Sequence, residues 1–388
     1  MAACRLAICA DPRHLPVMTM LRTFITRTLP SGLLLLAVSG GALACDAPAP
    51  VCDWTERVVG IRTPNMIASG TLLSDGVIIT NRHVVEDHAS VLIRDHAGSL
   101  NKAVPVPHDV PVDLATMNFA DRQGAPVTLP ALADGMPQTV YVVGFDQGRN
   151  APRVYAPSTF AVYPAQDAAP QARMHTNARA LPGNSGGAVV DSEGRLVGIL
   201  ASGDGKISEV IAASRIREVV AGSSGDHREA FTVIGEAIRR CADALYDAGA
   251  ISRDPPADLV AVIETECAAS GNRQLFDQAG QTFGRWWMFG RSKAFLSKSL
   301  ALDPRSPNTL MSMAVTLHLN RESEAEQPIL ERYLDIDPTN TQALRMAAQV
   351  AGTIGDRAFG ERVLDLMREH NPAAVPLAES FLKDAFGS

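Results

Sequence analysis

Pro304, Pro338 and Pro372 stand 34 residues apart, and other positions keep the same register. Phe276, Leu310 and Leu344 share one phase, Gly280, Ala314 and Ala348 a second, and Leu296, Leu330 and Leu364 a third. The string LALDPRSPN at 300–308 is echoed by LDIDPTNTQ at 334–342. A period of this length restricts the fold more than any single motif. Each unit is a helical hairpin, with a small residue where its helices cross and a proline that ends the second helix. Such a hairpin cannot bury its apolar face alone, so the units must stack. The period predicts three stacked units over 273–372, a helical hairpin over 231–272 ahead of them, and a capping helix over 373–388 bearing Leu377 and Phe381.

Upstream the pattern is different. From about residue 54 to 215 short apolar runs alternate with turns: SGTLL-SDG-VIIT, ASVLIRD, TVYVVGF, RVYAPSTFAVYP and GGAVV-DSEG-RLVGIL. Many short strands with Gly, Asp and Pro between them predict an all-β sandwich or barrel rather than alternating β/α units. The chain therefore divides into a β domain over 45–220, a small, polar linker over 221–230 and the helical region.

Residues 1–44 read as an export signal, with Arg22 and Arg27 ahead of the apolar run GLLLLAVSG and a small-x-small site at Ala42-Leu43-Ala44. Met18 or Met20 would begin a signal of ordinary length. Cleavage after Ala44 would leave Cys45 first, but Ala42 stands where lipid attachment favours a branched residue. Of six cysteines, Cys4 and Cys9 leave with the signal. The remaining four allow three pairings, and the expected one is Cys45–Cys52 with Cys241–Cys267. The 388-residue chain carries a net charge of −7, and residues 1–44 hold four Arg against Asp11, so the remainder carries −10. That field disfavours nucleic acid and anionic lipid. No stretch is long and apolar enough to span a membrane. The export signal with a high Ala and Arg content points to a bacterial envelope, the periplasm before the medium.

Three segments carry chemistry. VIITNRHVVED places His83 just after a buried strand, PVDLATMNF opens a strand with Asp113, and LPGNSGGAVV puts Ser185 in a glycine-rich turn before a strand. Acyl transfer needs a hydroxyl nucleophile, a base near its working pH and a carboxylate that holds that base. In chain order these are Ser185, His83 and Asp113, with Asp109 a nearby rival to the last. Gly183 and Ser185 can aim two backbone N–H groups at one developing oxyanion. Gly186 and Gly187 are read as letting the next strand pass close to the substrate pocket. His88, His96, His108 and His175 fit no metal-ligand spacing and are read as solvated loop histidines. Trp286 and Trp287 are read as helix packing rather than a ligand cage, with room for one of them to face a groove, and no cofactor or metal is expected.

These residues resemble the trypsin-like serine endopeptidases, most closely the HtrA/DegP-type and glutamyl-endopeptidase-type bacterial barrels, over roughly residues 55–220. TNRHVV, DLA and PGNSGG carry the likeness. The resemblance implies two six-stranded barrels with the triad between them, His83 as general base, Asp113 as its orienter and Ser185 as nucleophile. Asn184 stands where vertebrate-type trypsins have Asp, so RVVGI at 57–61 is not expected to act as an activation site. By the same resemblance Arg179 lies near the base of the specificity pocket, and Ala201, Ser202 and Gly203 flank it. Arg179 facing that pocket would favour acidic side chains; facing solvent, it would leave a small or apolar pocket. The 34-residue units resemble tetratricopeptide repeats over 273–372, which replace the PDZ domain of HtrA proteins. The fold class is thus a trypsin-like double barrel followed by a helical solenoid. The function implied is an exported endopeptidase acting on polypeptides, with a partner or substrate at the repeat groove. The competing reading is a catalytically silent protease fold that works through its repeats.

Overall fold

A computed structural model describes residues 45–387, apart from 75, 120, 122–126, 134–136, 147–149, 163–168 and 204–206. The expected signal and its cleavage site lie outside the described residues.

The first β unit closes on itself. Strands β1 (Val58–Arg62), β2 (Ile67–Ser74), β3 (Val77–Thr80), β4 (Val91–Arg94), β5 (Leu100–Pro105) and β6 (Ala115–Phe119) form a closed antiparallel barrel in the order β1-β2-β3-β6-β5-β4. Val59, Ile61, Ile78, Ile93 and Met117 fill one core cluster, while Val58, Val77 and Ile79 belong to a second shared with the next sheet. Both faces of β3 are buried for this reason, so it reads as a continuous apolar run instead of an alternating one.

The second unit departs from the expected six-stranded barrel. Strands β7 (Val140–Gly144), β8 (Arg153–Val154), β9 (Phe160–Val162), β10 (Met174–Thr176), β11 (Ala188–Asp191), β12 (Leu196–Gly203) and β13 (Ser208–Ala212) form a seven-stranded sheet in the order β8-β7-β11-β12-β13-β10-β9. Among the described residues the edges β8 and β9 do not pair. RVYAPSTFAVYP supplies both short edge strands, because Pro157 has no N–H to donate and interrupts the run.

Helix α1 (Ala49–Cys52) leads into Trp54, whose indole N–H donates to the Gly194 carbonyl at 2.8 Å and pins the N-terminal segment to the second sheet. Helix α2 (Arg82–Val85) follows β3, and α3 (Ser214–Ala221) follows β13. The expected linker is tied down instead of free. Ser224 N–H donates to Pro107 O at 3.0 Å, and α4 (Arg228–Ala248) begins inside the 221–230 stretch. Phe231 explains this: it is buried in the first-barrel core cluster, which draws the start of the helix onto the barrel.

The helical region then proceeds through α5 (Ala257–Val262), a π-helical turn at Ile263–Cys267 and α6 (Ala268–Ser270). Three hairpins follow: α7 (Arg273–Arg285) with α8 (Phe289–Leu302), α9 (Pro307–Leu319) with α10 (Ser323–Leu334), and α11 (Thr341–Ile354) with α12 (Arg357–His370). Helix α13 (Val375–Phe386) covers the end. The first helices begin at 273, 307 and 341, which keeps the 34-residue spacing. Asn272, Ser306 and Asn340 share that spacing, and each side chain accepts from a first-turn N–H, satisfying donors that a helix start leaves unpaired. At Gly280 an added Cβ would lie 2.6 Å from Leu296 Cγ, so the small residue is needed where α7 crosses α8. Two disulfides, Cys45–Cys52 and Cys241–Cys267, match the expected pairing. With its sulfur in a disulfide, Cys45 offers no thiol to a lipid. No described helix is long and apolar enough to cross a membrane.

Candidate active site

The turn after β3 presents His83 from α2, and Asp113 sits in the connection just before β6, the strand paired with β3. Asp113 is almost wholly buried. One of its carboxylate oxygens accepts the His83 backbone N–H at 3.0 Å, and the other lies 2.8 Å from His83 Nδ1. The second oxygen also accepts from Arg173 Nη2 at 3.2 Å. Burial alone would raise the Asp113 pKa. The charge and hydrogen bonds of His83, with the Arg173 guanidinium, outweigh it and hold the carboxyl well below the usual range. An ionised Asp113 accepts only, so Nδ1 of His83 carries the proton and Nε2 is left as the acceptor. The rival Asp109 is exposed and approaches His227 instead, at 3.8 Å.

The serine turn is gripped by the first barrel. Ser69 of β2 donates its N–H to Ser185 O at 2.7 Å and its hydroxyl to Gly183 O at 2.7 Å, while Thr71 Oγ1 donates to Gly186 O at 3.0 Å. Gly183 (φ 102°) and Gly186 (φ 86°) occupy the left-handed region that side chains disfavour. Among the described residues no carbonyl accepts from the N–H of Gly183 or Ser185, as two donors reserved for an oxyanion require. The Ser185 hydroxyl donates to Ala201 O at 3.0 Å. Asn184 is buried: its side-chain oxygen accepts from Leu181 N–H at 2.7 Å and its Nδ2 donates to Phe145 O at 3.0 Å. Gly186 and Gly187 sit where backbones pack closely, Gly186 N–H donating to Leu200 O at 2.8 Å. An added Cβ would meet Ser69 O at 1.9 Å or Val143 O at 2.5 Å, so close packing of backbones demands glycine.

His83 and Ser185 line one cavity of about 1180 Å³. Exposed Arg179 and the end of β12, Ala201 to Gly203, line it too, with Ser202 Oγ donating to Glu209 at 2.8 Å. The opposite wall comes from the helical region, including Gln278, Gln281, Asn308, Met311 and Ser312 of α7 and α9.

Two of the four histidines correct the solvated-loop expectation. His108 is buried, with Nε2 2.8 Å from Leu114 O, and His175 is buried in β10, 3.7 Å from Glu209. His88 is half-buried beside Glu86 and His96 is exposed. Trp286 packs in the helical core. Trp287 is exposed, against the packing expectation, because its positive φ of 63° turns the chain at the end of α7. Sequence reasoning missed Ser69, Arg173, Glu209 and Arg273. Their only signal was polarity inside apolar runs or at a helix start.

A closed barrel and a second sheet thus bring a buried carboxylate–imidazole pair and a serine turn to one cavity. Residues 68–199 match the trypsin-like peptidase domain family. The chain is 29% identical over 170 residues to the mitochondrial serine protease HTRA2 of Bos taurus, across 41% of this chain and 36% of that one. It is 30% identical over 141 residues to the serine endoprotease DegS of Escherichia coli K12, across 34% of this chain and 39% of that one. Among solved structures, the HtrA-type protease AlgW with tripeptide is similar at TM-score 0.38 and 24% identity, over 44% of this chain and 61% of that one. The chain spans less than half the length of these two curated relatives. The domain match and its relatives support a serine endopeptidase.

Proposed function

We propose that the chain is an exported serine endopeptidase that uses Ser185, His83 and Asp113 as its triad. Ser185 Oγ attacks the carbonyl carbon of a peptide bond while His83 Nε2 takes its proton. Asp113 holds the imidazole tautomer and stabilises the imidazolium. The N–H groups of Gly183 and Ser185 receive the tetrahedral oxyanion. Collapse expels the amine, protonated by His83, and water then hydrolyses the acyl-enzyme by the same base. The observation that carries this reading is the 2.8 Å Asp113–His83 contact at a cavity that also holds Ser185.

The helical units are read as tetratricopeptide repeats whose inner face receives part of a polypeptide substrate, since α7 and α9 line the cavity that His83 and Ser185 share. Ala201 to Gly203 would pair with the substrate backbone as an added strand. Arg179, exposed on this cavity, would attract an acidic side chain. Two disulfides and the signal-like N-terminus favour an oxidising compartment, the periplasm by this reading.

A fluorophosphonate probe tests the nucleophile. The expected result is covalent labelling of Ser185 in the wild-type chain and none in Ser185→Ala. A folded wild-type chain that takes no label would overturn the proposal. One observation favours the silent-scaffold alternative: the Ser185 hydroxyl donates to Ala201 O. The endopeptidase reading requires that hydroxyl to turn to His83, and the probe decides between the two readings.

A further inference from the structure

Asp113 is a buried anion with two donor side chains on it, and only one of them is the imidazole. The other, Arg173, precedes β10 and has a side chain only 1% exposed. Its Nη2 reaches the same carboxylate oxygen that His83 Nδ1 does. Its backbone N–H donates to Asp303 Oδ2 at 3.2 Å, and Asp303 ends α8 of the helical region. Beyond Arg173 lies buried Glu209 of β13, which pairs with Arg273, the first residue of α7. Arg273 is buried as well, and its Nη1 donates to the Ser306 hydroxyl, the cap of α9, at 3.0 Å. Charges of alternating sign, Asp113, Arg173, Glu209 and Arg273, therefore run from the site into the helical region without reaching solvent. Asp113 pairs with Arg173 and Glu209 with Arg273, while Glu209 attracts and Arg273 repels Arg173 through space.

We propose that Arg173 is a positioning residue for the Asp113–His83 pair, and that the helical region, through Asp303, holds Arg173 in place. The inference rests on the endopeptidase reading of the same site. It makes the helices part of the catalytic apparatus as well as a wall of the cleft. The α4 helix adds a second grip, since Phe231 O accepts from Arg82, the residue before His83, and Arg239 pairs with Asp87 just after the α2 turn.

The role has an electrostatic signature. A guanidinium on Asp113 offsets part of the field that the carboxylate exerts on the imidazole. Without it the imidazolium is favoured more strongly, so His83 keeps its proton to higher pH. The charged groups around the pair are Arg82, Glu86 and Asp87 from the α2 turn, Arg173 and His175 beside and on β10, Glu209 from β13, and Arg273, Asp277 and Asp303 from the helices. Burial, with Asp243 and Asp87, raises Glu86 to about 7. Glu86 is coupled to His83 and titrates in the same range, so the kinetic limb reports the pair and the site-resolved His83 titration is the reading that decides.

The test is the pH dependence of His83 in the full chain. It is read as the acidic limb of kcat/KM on a peptide substrate, and as the His83 ring titration by proton NMR in Ser185→Ala. Arg173→Met is expected to move both upward by about one pH unit. Arg173→Lys keeps the charge and should leave them near their wild-type positions, and Arg273→Met should move them upward by less. A folded Arg173→Met chain whose limb and titration stay put would overturn the proposal. Should that variant fail to fold, Arg173→Gln, which keeps a donor for Asp113 but drops the charge, carries the test, and an unmoved His83 titration there overturns it equally. The NMR reading needs no turnover. A wild-type chain that cleaves nothing therefore sinks the endopeptidase reading without deciding this one.

Discussion

Gly186 shows how little freedom the serine turn has. Its φ is 86°, and an added Cβ would fall 1.9 Å from the Ser69 carbonyl oxygen and 2.3 Å from Thr80 Oγ1. Neither neighbour can retreat, because Thr80 Oγ1 already donates to Ser69 O at 2.7 Å inside the barrel wall. Gly186→Ala is expected to cost at least about 3 kcal/mol, combining backbone strain with a backbone clash. Chemical denaturation will measure it, and probe labelling of Ser185 should fall with it. At this scale the serine turn and the His83 and Asp113 segments that share its cavity or pair beside it stood out in the sequence, because each sits in a short local context that a sequence displays. Ser69 and Arg173 were not. Ser69 lies 114 residues from the Gly183 carbonyl it binds, and Arg173 lies 60 residues from Asp113. Nothing local marks either contact.

Helix α4 carries the clearest element-scale consequence. Gly235 stands in mid-helix, where alanine would ordinarily stabilise by about 1 kcal/mol. Here an added Cβ would meet the Glu86 carbonyl oxygen at 2.2 Å and its carbonyl carbon at 2.5 Å. Glu86 itself has a positive φ of 50°, so the turn that follows His83 has little room to adjust. Gly235→Ala should therefore lower stability by about 1–2 kcal/mol and reduce kcat, as the helix pushes on the histidine turn. Thermal melts and steady-state kinetics on the same preparation check both. The helical hairpins were legible at this scale because their crossings and prolines recur every 34 residues. The seating of α4 was not, since a polar stretch ahead of a helix looks alike whether it is free or tied to a barrel.

For the whole molecule, the question is what keeps the helices against the β domain. Phe231 belongs to the first-barrel core, and Arg273 and Asp303 reach buried groups of the second sheet. The Cys241–Cys267 disulfide joins α4 to the π turn across a separation of 26 residues. A cross-link of that span stabilises by about 3 kcal/mol, largely by restricting the unfolded chain. The Cys241→Ser/Cys267→Ser double variant is expected to lose that amount in urea titration. Activity should fall in the same range of denaturant as helicity, because α4 and α7 both support the site. Loss of helicity with hydrolysis intact would contradict such coupling.

Strand and helix periods, the glycine turn around Ser185 and the spacing of the cysteines were enough to set two kinds of domain, their order and the candidate nucleophile and base. They could do so because these properties are local: a dihedral preference, a repeat length, a cap. Which buried charges meet, whether the second sheet closes, and that the helical wall faces the serine were decided only in three dimensions. Those outcomes depend on groups far apart in the chain sharing one desolvated space, where an ion's partner is set by distance and not by sequence neighbourhood.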